Sequence, residues 1–315
     1  MTVPIAEPTP GRMTRLLDRW RLRPARQTPS LWTVLIALDY LPWPWGEDVL
    51  AGLFMVMGLL RPSRRRAALR WATRCGAPHR WRHAASLCAF VGHWVARMRT
   101  LGFHRPDDLR ANVLIEGAEH LAAAPGAAIL LGFHLGPSDG DLTFRVLGYP
   151  VTLLGGSDRG ATMTWWSEAW RPFVRRSELS FAAGDRDRWT AVLYMGRRIL
   201  LEGEKVYILA DGDGREAFRL QLSVGEMPIR AGWITLHQLT GVPVLPVLRR
   251  LDGRRQVVAI HPPLPAFTSE SPDGLDECRE HLTRLVDDYV RRFPEQCPHL
   301  ALELPPAYRW DRGTR

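Results

Sequence analysis

Residues 127–141 read AAILLGFHLGPSDGD, and this segment carries the clearest signal of the fold class. Its first half is a short apolar run with the length and composition of a buried strand. Glycine and proline then mark a turn, after which the chain is expected to enter a helix. A buried strand that leads through a short turn into a helix is the repeating unit of α/β proteins. The stretch therefore predicts one such unit, with His134 at the point where the strand ends.

The same alternation extends in both directions from this unit. Apolar runs predict strands at residues 112–116, 127–133, 151–154, 205–210, 242–247 and 256–260. Amphipathic stretches predict helices at about 139–147, 161–176, 187–202, 226–239 and 275–293. We therefore predict an α/β fold for residues 111–315, with an αβα-layered, mixed or mostly parallel sheet.

The N-terminal third differs from the rest of the chain in composition and predicted structure. Residues 1–30 are rich in Arg and interrupted by prolines, which indicates a basic flexible leader. Residues 31–110 are predicted to form a helical, membrane-associating region. Its apolar stretches at 31–38 and 49–60 are separated by the helix-breaking segment LPWPWGED, and residues 63–104 predict a further helix. Both apolar stretches are shorter than the roughly 20 residues that span a bilayer, so interfacial helices, re-entrant helices and buried helices are alternatives.

The net charge of +9 is concentrated in that third. Residues 1–110 hold 18 Arg against 7 Asp and Glu, a net of +11, together with 7 of the 13 Trp. This composition suits an anionic lipid surface, and it would also attract an acidic carrier protein. Nucleic acid is the competing partner for a basic protein, but the sequence contains no zinc-finger or RNA-binding signature. Four cysteines without a C-x-x-C pair indicate a reducing compartment.

His134 and Asp139 form an H-x-x-x-x-D pattern across the predicted turn. A neutral imidazole is a suitable general base near pH 7. A carboxylate on its other ring nitrogen fixes the tautomer and stabilises the imidazolium. Such a pair can take the proton of a hydroxyl while that oxygen attacks a thioester. The alternative is that His134 only ends a strand and Asp139 caps the next helix.

Residues 136–140 also match G-x-S-x-G, in the strand–turn–helix context of a nucleophile elbow. On this interpretation Ser138 is the nucleophile of a serine esterase or lipase of α/β-hydrolase type. Four later histidines are candidates for the triad: His237, His261, His281 and His299. Of these, His261 lies in the most suitable loop, but no HGGG-like oxyanion segment precedes Ser138. A non-catalytic lipid-binding module is a third interpretation.

Five segments occur in a characteristic order within residues 60–300. They are residues 116–139, RPFVRR at 171–176, VYILADGDG at 206–214, RAGWITLHQLTGVPVLPV at 230–247 and FPEQ at 293–296. Together they resemble the lipid A biosynthesis (late) acyltransferase family, within the wider H-x4-D lysophospholipid acyltransferase-like superfamily. The chain departs from the family pattern at Asp139, where the family usually has Glu, and at the preceding Pro-Ser pair. These departures leave the identity of the acceptor lipid open.

The resemblance implies an O- or N-acyltransferase without a cofactor. An acyl carrier protein or coenzyme A thioester would donate a fatty acyl group to a hydroxyl or amine of a glycolipid or phospholipid. His134 would be the general base, oriented by Asp139, and backbone N–H groups of the turn would hold the oxyanion. The reaction would take place at the cytoplasmic face of the bacterial inner membrane.

Further polar residues are expected to bind the substrates: Gly136, Arg175, Arg176, Asp211, Asp213 and Arg215. The loop at 211–215 follows a predicted strand, so it should lie at the same sheet edge as His134 and position the acceptor or its phosphate. The two arginines could grip a phosphate. The alternative for the loop at 211–215 is a polar turn without a binding role. The alternative for Arg175 and Arg176 is a solvated helix end. His and Cys within residues 75–88 are interleaved with arginines that repel a cation, so no metal site is expected.

Overall fold

The structure, a computed structural model of the chain, describes residues 43–100, 110–137, 142–155, 178–180, 186–212, 215–267 and 272–302. The predicted leader, the apolar stretch at 31–38 and the predicted helix at 161–176 lie outside these residues. Within them, helices combine with a mostly parallel sheet. This arrangement confirms the predicted α/β class with a helical N-terminal region.

Within the described residues, three helices precede the sheet: α1 (Trp43–Leu60), α2 (Pro62–Arg74) and α3 (Arg80–Thr100). The expectation that all of LPWPWGED would break a helix is wrong, because α1 begins inside it. Its second proline falls in the first helical turn, where no intrahelical N–H bond is lost. The single helix predicted at 63–104 is divided, because Gly76 adopts φ +65° and ends α2.

The first and third helices cross closely. A Cβ atom on Gly92 would lie 2.5 Å from the Cα atom of Ala51, so only glycine permits this approach. Among the helices of the described residues, none combines the length and the hydropathy that a bilayer crossing requires.

Seven strands of the described residues form one sheet in the order β1-β9-β8-β2-β5-β3-β4. Their bounds are β1 Val113–Glu116, β2 Ala128–Gly132, β3 Val151–Gly155, β4 Glu178–Ser180, β5 Lys205–Leu209, β8 Val244–Asp252 and β9 Arg255–Ile260. The strands from β8 to β4 run parallel, whereas β9 pairs antiparallel with β8 and parallel with β1. The six predicted strands are thus all present, and β4 is an additional edge strand.

The hairpin of β6 (Glu216–Leu222) and β7 (Gly225–Arg230) was not predicted. It replaces the first part of the helix predicted at 226–239, which was wrong, since α7 (Gly232–Thr240) begins only after the hairpin. The signal was a period of two along β6, where buried Leu220 and Leu222 alternate with polar residues.

Helices cover both faces of the sheet, with α4 (Ala118–Ala122), α5 (Leu142–Val146), α6 (Arg186–Leu201), α8 (Pro272–Arg292), a 3-10 turn (Pro294–Gln296) and α9 (Pro298–Leu302) joining those above. Ile129 and Leu131 enter the larger core, on the side of α2, α3, α6, α7 and α8. Leu130 enters a smaller core with Phe144 and Tyr207 on the other face. The strand β2 is therefore buried on both sides, as its continuous apolar sequence predicts.

Candidate active site

The strands β2 and β5 are neighbours in the sheet, and their carboxyl ends lie side by side. Gly132 at the end of β2 pairs with Leu209 at the end of β5, and the N–H of Ala210 donates to the carbonyl of Gly132 over 2.8 Å. His134 and Asp211 each follow two residues after these strand ends. The predicted common edge is confirmed, and loops at this edge of a parallel sheet are where ligands usually bind.

His134 and Asp211 are in direct contact at that edge. Nδ1 of His134 lies 3.1 Å from Oδ1 of Asp211. The backbone N–H of His134 also donates to the same carboxylate, with 3.2 Å to each oxygen. Asp211 is only 2% exposed, whereas the His134 side chain remains about 13% exposed. One buried carboxylate therefore holds both the ring and the backbone of His134.

This contact decides which nitrogen of His134 is basic. An ionised carboxylate only accepts hydrogen bonds, so Nδ1 carries the proton and faces Asp211. Nε2 then carries the lone pair of the neutral imidazole. The same carboxylate stabilises the positive ring after Nε2 accepts a proton, which is the role of the acid in a Ser-His-Asp triad. Asp211 was expected to bind substrate, and its contact with His134 adds an orienting role.

A second histidine packs against His134. The ring centroid of His299 lies 5.1 Å from that of His134, and the ring of Trp94 meets His299 edge-on at 5.0 Å. Burial, followed by the neighbouring His134, lowers the pKa of His299 to about 3. His299 is therefore neutral near pH 7 and adds no competing charge beside the base. The sequence predicts His299 only as a candidate triad histidine, and its position shortly after FPEQ is the signal that links it to this site.

The turn after His134 is docked against the C-terminal FPEQ segment. The N–H of Gly136 donates to the carbonyl of Gln296 over 2.9 Å. Gly136 adopts φ +69°, and a Cβ atom there would lie 1.9 Å from the carbonyl oxygen of Arg249. Since the N–H of Gly136 is already engaged, Gly136 shapes the turn, and oxyanion donors must come from elsewhere.

The side chain of Gln296 completes this connection. Its Oε1 accepts from the N–H of Leu251 over 2.7 Å, and its Nε2 donates to the Leu251 carbonyl over 2.8 Å. These groups belong to the end of β8, beyond the residues of β8 that pair with β2. Gln296 thereby makes hydrogen bonds to the edge of β8 at a position that β2 does not reach. It also links this edge to the turn after His134.

The remaining residues that were predicted to bind substrate are described only in part. The side chain of Arg215 is exposed, and its carbonyl accepts from Ala231 over 2.9 Å. Arg230 supports the Asp211 loop, because its Nε donates to the carbonyl of Gly212 over 2.9 Å. Five predicted residues lie outside the described part of the chain: Ser138, Asp139, Arg175, Arg176 and Asp213.

His261 does not approach this edge of the sheet. It follows β9, which runs antiparallel to β8, and its N–H donates to Pro246 over 2.9 Å. The chain therefore continues towards the opposite edge. His237 is also remote, because its Nδ1 lies 2.8 Å from the Val242 carbonyl on the larger core. Of the histidines considered for a triad, the structure brings His299 to His134.

The described residues contain no group of three or more His, Cys, Asp or Glu side chains arranged to hold a metal ion. Comparison with known proteins finds no family model and no curated protein that matches the chain. The site itself offers an oriented imidazole base with a buried carboxylate behind it and a neutral histidine beside it.

Proposed function

We propose that this chain is an acyltransferase that moves a fatty acyl group from a thioester of coenzyme A or acyl carrier protein to a hydroxyl or amine of a glycolipid or phospholipid. The observation that supports it best is the contact between His134 and Asp211, with Nδ1 3.1 Å from Oδ1. The contact leaves Nε2 of a partly exposed imidazole as the base, which is the group that direct transfer to a hydroxyl needs.

In the proposed reaction, Nε2 of His134 takes the proton of the acceptor while the acceptor oxygen or nitrogen attacks the thioester carbon. The C–S bond of the tetrahedral intermediate then breaks. The imidazolium returns the proton to the departing thiolate, so the products are an acyl ester or amide and a free thiol. Asp211 stabilises the imidazolium between these steps. The resemblance to the late acyltransferases supports the same chemistry, with Asp139 as a second acidic residue.

The test is transfer of label from radiolabelled acyl-coenzyme A and acyl carrier protein into a total lipid extract. We expect His134→Ala and Asp211→Asn to lower the rate by roughly 10²- to 10⁴-fold, the usual contribution of an oriented general base. Asp252→Asn is the matched control, because Asp252 is an exposed aspartate at the end of β8. Asp139→Asn measures the contribution of the acid that the H-x-x-x-x-D pattern predicts.

The serine esterase is the alternative that this assay excludes or establishes. A transferase with His134 as base retains activity in Ser138→Ala. Loss of all activity in Ser138→Ala, or release of free fatty acid without labelled lipid, would overturn the proposal.

We further propose that α1 lies on an anionic membrane surface. Four of its apolar side chains are between 49% and 72% exposed: Trp45, Val49, Val56 and Leu60. Their spacings of four, seven and four residues place them within one narrow stripe of the helix. Arg61 follows at once, and α2 adds further exposed arginines. An apolar stripe beside a basic cluster is the composition of an interfacial helix.

Co-sedimentation with vesicles tests this membrane contact. We expect Leu60→Asp to weaken binding to vesicles that contain anionic phospholipid. Leu201→Asp is the matched control, because Leu201 also ends a helix and is 58% exposed, but it lies on α6. Equal binding of the two variants would contradict the assignment of the stripe to lipid.

A further inference from the structure

A cavity of about 1030 Å³ lies between α2 and the first turn of α3. Four arginines line it: Arg66, Arg70, Arg80 and Arg82. They are joined by His79 and by Trp81, whose side chain is 61% exposed, and no carboxylate is among the lining residues. The candidate site at His134 does not include any of these residues. We refer to this cavity as the arginine pocket.

The arginines of the pocket are unlike those on the later helices. In the described part of the chain, none of the four is paired with a carboxylate. By contrast, Arg198, Arg279 and Arg292 each pair with an acidic residue three or four positions away in the sequence. Arg66 and Arg70 stand at i and i+4 on α2, where like charges repel. A bound anion would relieve this repulsion.

The chemistry of the pocket suits a ligand with several phosphates and an aromatic ring. Guanidinium groups match phosphate oxygens in geometry and charge. The exposed indole of Trp81 offers a flat face on which a nucleobase can stack. The volume is at the upper end of the roughly 300–1,000 Å³ of typical small-molecule sites, so the pocket is large enough for a nucleotide.

The position of the pocket relative to His134 narrows the choice of ligand. The helix α3 carries Arg80 in its first turn and Trp94 fourteen residues later, which corresponds to about 21 Å along the axis at 1.5 Å per residue. Trp94 contacts His299, and His299 contacts His134. A donor whose nucleotide lies in the pocket needs an extended arm that brings its thioester along α3 towards the base. The pantetheine arm of coenzyme A is such an arm.

We infer that the arginine pocket binds the nucleotide end of an acyl-coenzyme A donor. The three phosphates of that nucleotide face the four guanidinium groups, and the adenine lies against Trp81. This inference rests on the proposed function in one respect, namely that the bound molecule is the acyl donor. A lipid headgroup or the single phosphate of a carrier-protein arm presents fewer charges and no base for Trp81.

Titration calorimetry with coenzyme A and adenosine 3′,5′-diphosphate, each added to the full chain, tests the inference. We expect Arg70→Gln and Arg80→Gln each to weaken binding of both ligands by about 10-fold or more, the effect of losing one charge-assisted contact. Dephospho-coenzyme A, which lacks the 3′-phosphate, should bind more weakly than coenzyme A. Arg284→Gln on α8 is the matched control, because Arg284 is exposed and lies outside the pocket.

Coenzyme A binding and acyl transfer, measured side by side, separate this inference from the proposed function. His134→Ala should bind coenzyme A like the wild type, because His134 lies outside the pocket. Coenzyme A binding that depends on Arg70 and Arg80, without acyl transfer by the wild type, supports the pocket and refutes the transferase. Acyl transfer from carrier protein alone, with no coenzyme A binding, refutes the pocket and supports the transferase. Arginine variants that bind coenzyme A like the wild type, or that lose only binding to anionic vesicles, also overturn the inference.

Discussion

Replacement of Gly136 by alanine measures how tightly the His134 turn is held against β8. Gly136 has φ +69°, a left-handed conformation that costs a residue with a Cβ atom about 1–2 kcal/mol. The added Cβ atom would also lie 1.9 Å from the carbonyl oxygen of Arg249 and 2.8 Å from the hydroxyl of Tyr289. That hydroxyl donates to the same carbonyl over 2.6 Å, so neither group can move alone.

Relief of such overpacking typically costs a further 1–3 kcal/mol. We therefore expect Gly136→Ala to lower the free energy of unfolding by about 2–5 kcal/mol, measured from urea unfolding curves. Gly241→Ala is the matched control, because Gly241 has the same φ of +69° and no atom within 4 Å of its added Cβ. Gly241→Ala should lose only the part of the free energy of unfolding that comes from the left-handed conformation, about 1–2 kcal/mol. If the two variants are equally stable, the close approach of the turn to β8 is refuted.

Two further predictions concern the neighbours of that turn. Gln296→Ala leaves the N–H and carbonyl of Leu251 without their partner and should lower the free energy of unfolding by about 1–3 kcal/mol in urea titrations. A loss no larger than that of Gln221→Ala, an exposed glutamine, would contradict the bridging role. The lowered pKa of His299 predicts that stability falls as the pH drops below 6.5, because the unfolded chain binds a proton there and the folded chain does so only near pH 3. At pH 4 this loss is at most about 3.5 kcal/mol, at 1.4 kcal/mol per unit. The total loss should be smaller by this amount in His299→Phe but unchanged in His79→Phe, where the ring is exposed, because His83, His261 and His281 also have lowered pKa values. An equal loss in both variants would rule out His299 as a source.

Most elements of the α/β part could be predicted because their signals are local. A continuous apolar run predicts a buried strand, and β2, β3 and β5 lie at or near their predicted positions. The hairpin of β6 and β7 is not predicted, because residues 226–239 match the pattern of one helix, although β6 alternates between buried and exposed residues. A short hairpin with few apolar residues gives a weak pattern that a neighbouring amphipathic helix can mask.

The position of His134 at a strand end and the α/β class can be predicted from the amino-acid sequence, since both follow from periodicities within a dozen residues. The residues that contact His134 are visible only in the folded chain. Asp211 is 77 residues away in the chain and arrives because β5 lies next to β2 in the sheet. Gln296 and His299 come from the C-terminal segment in the same way. The order of strands depends on how all the apolar faces are buried together, and no local pattern contains that information.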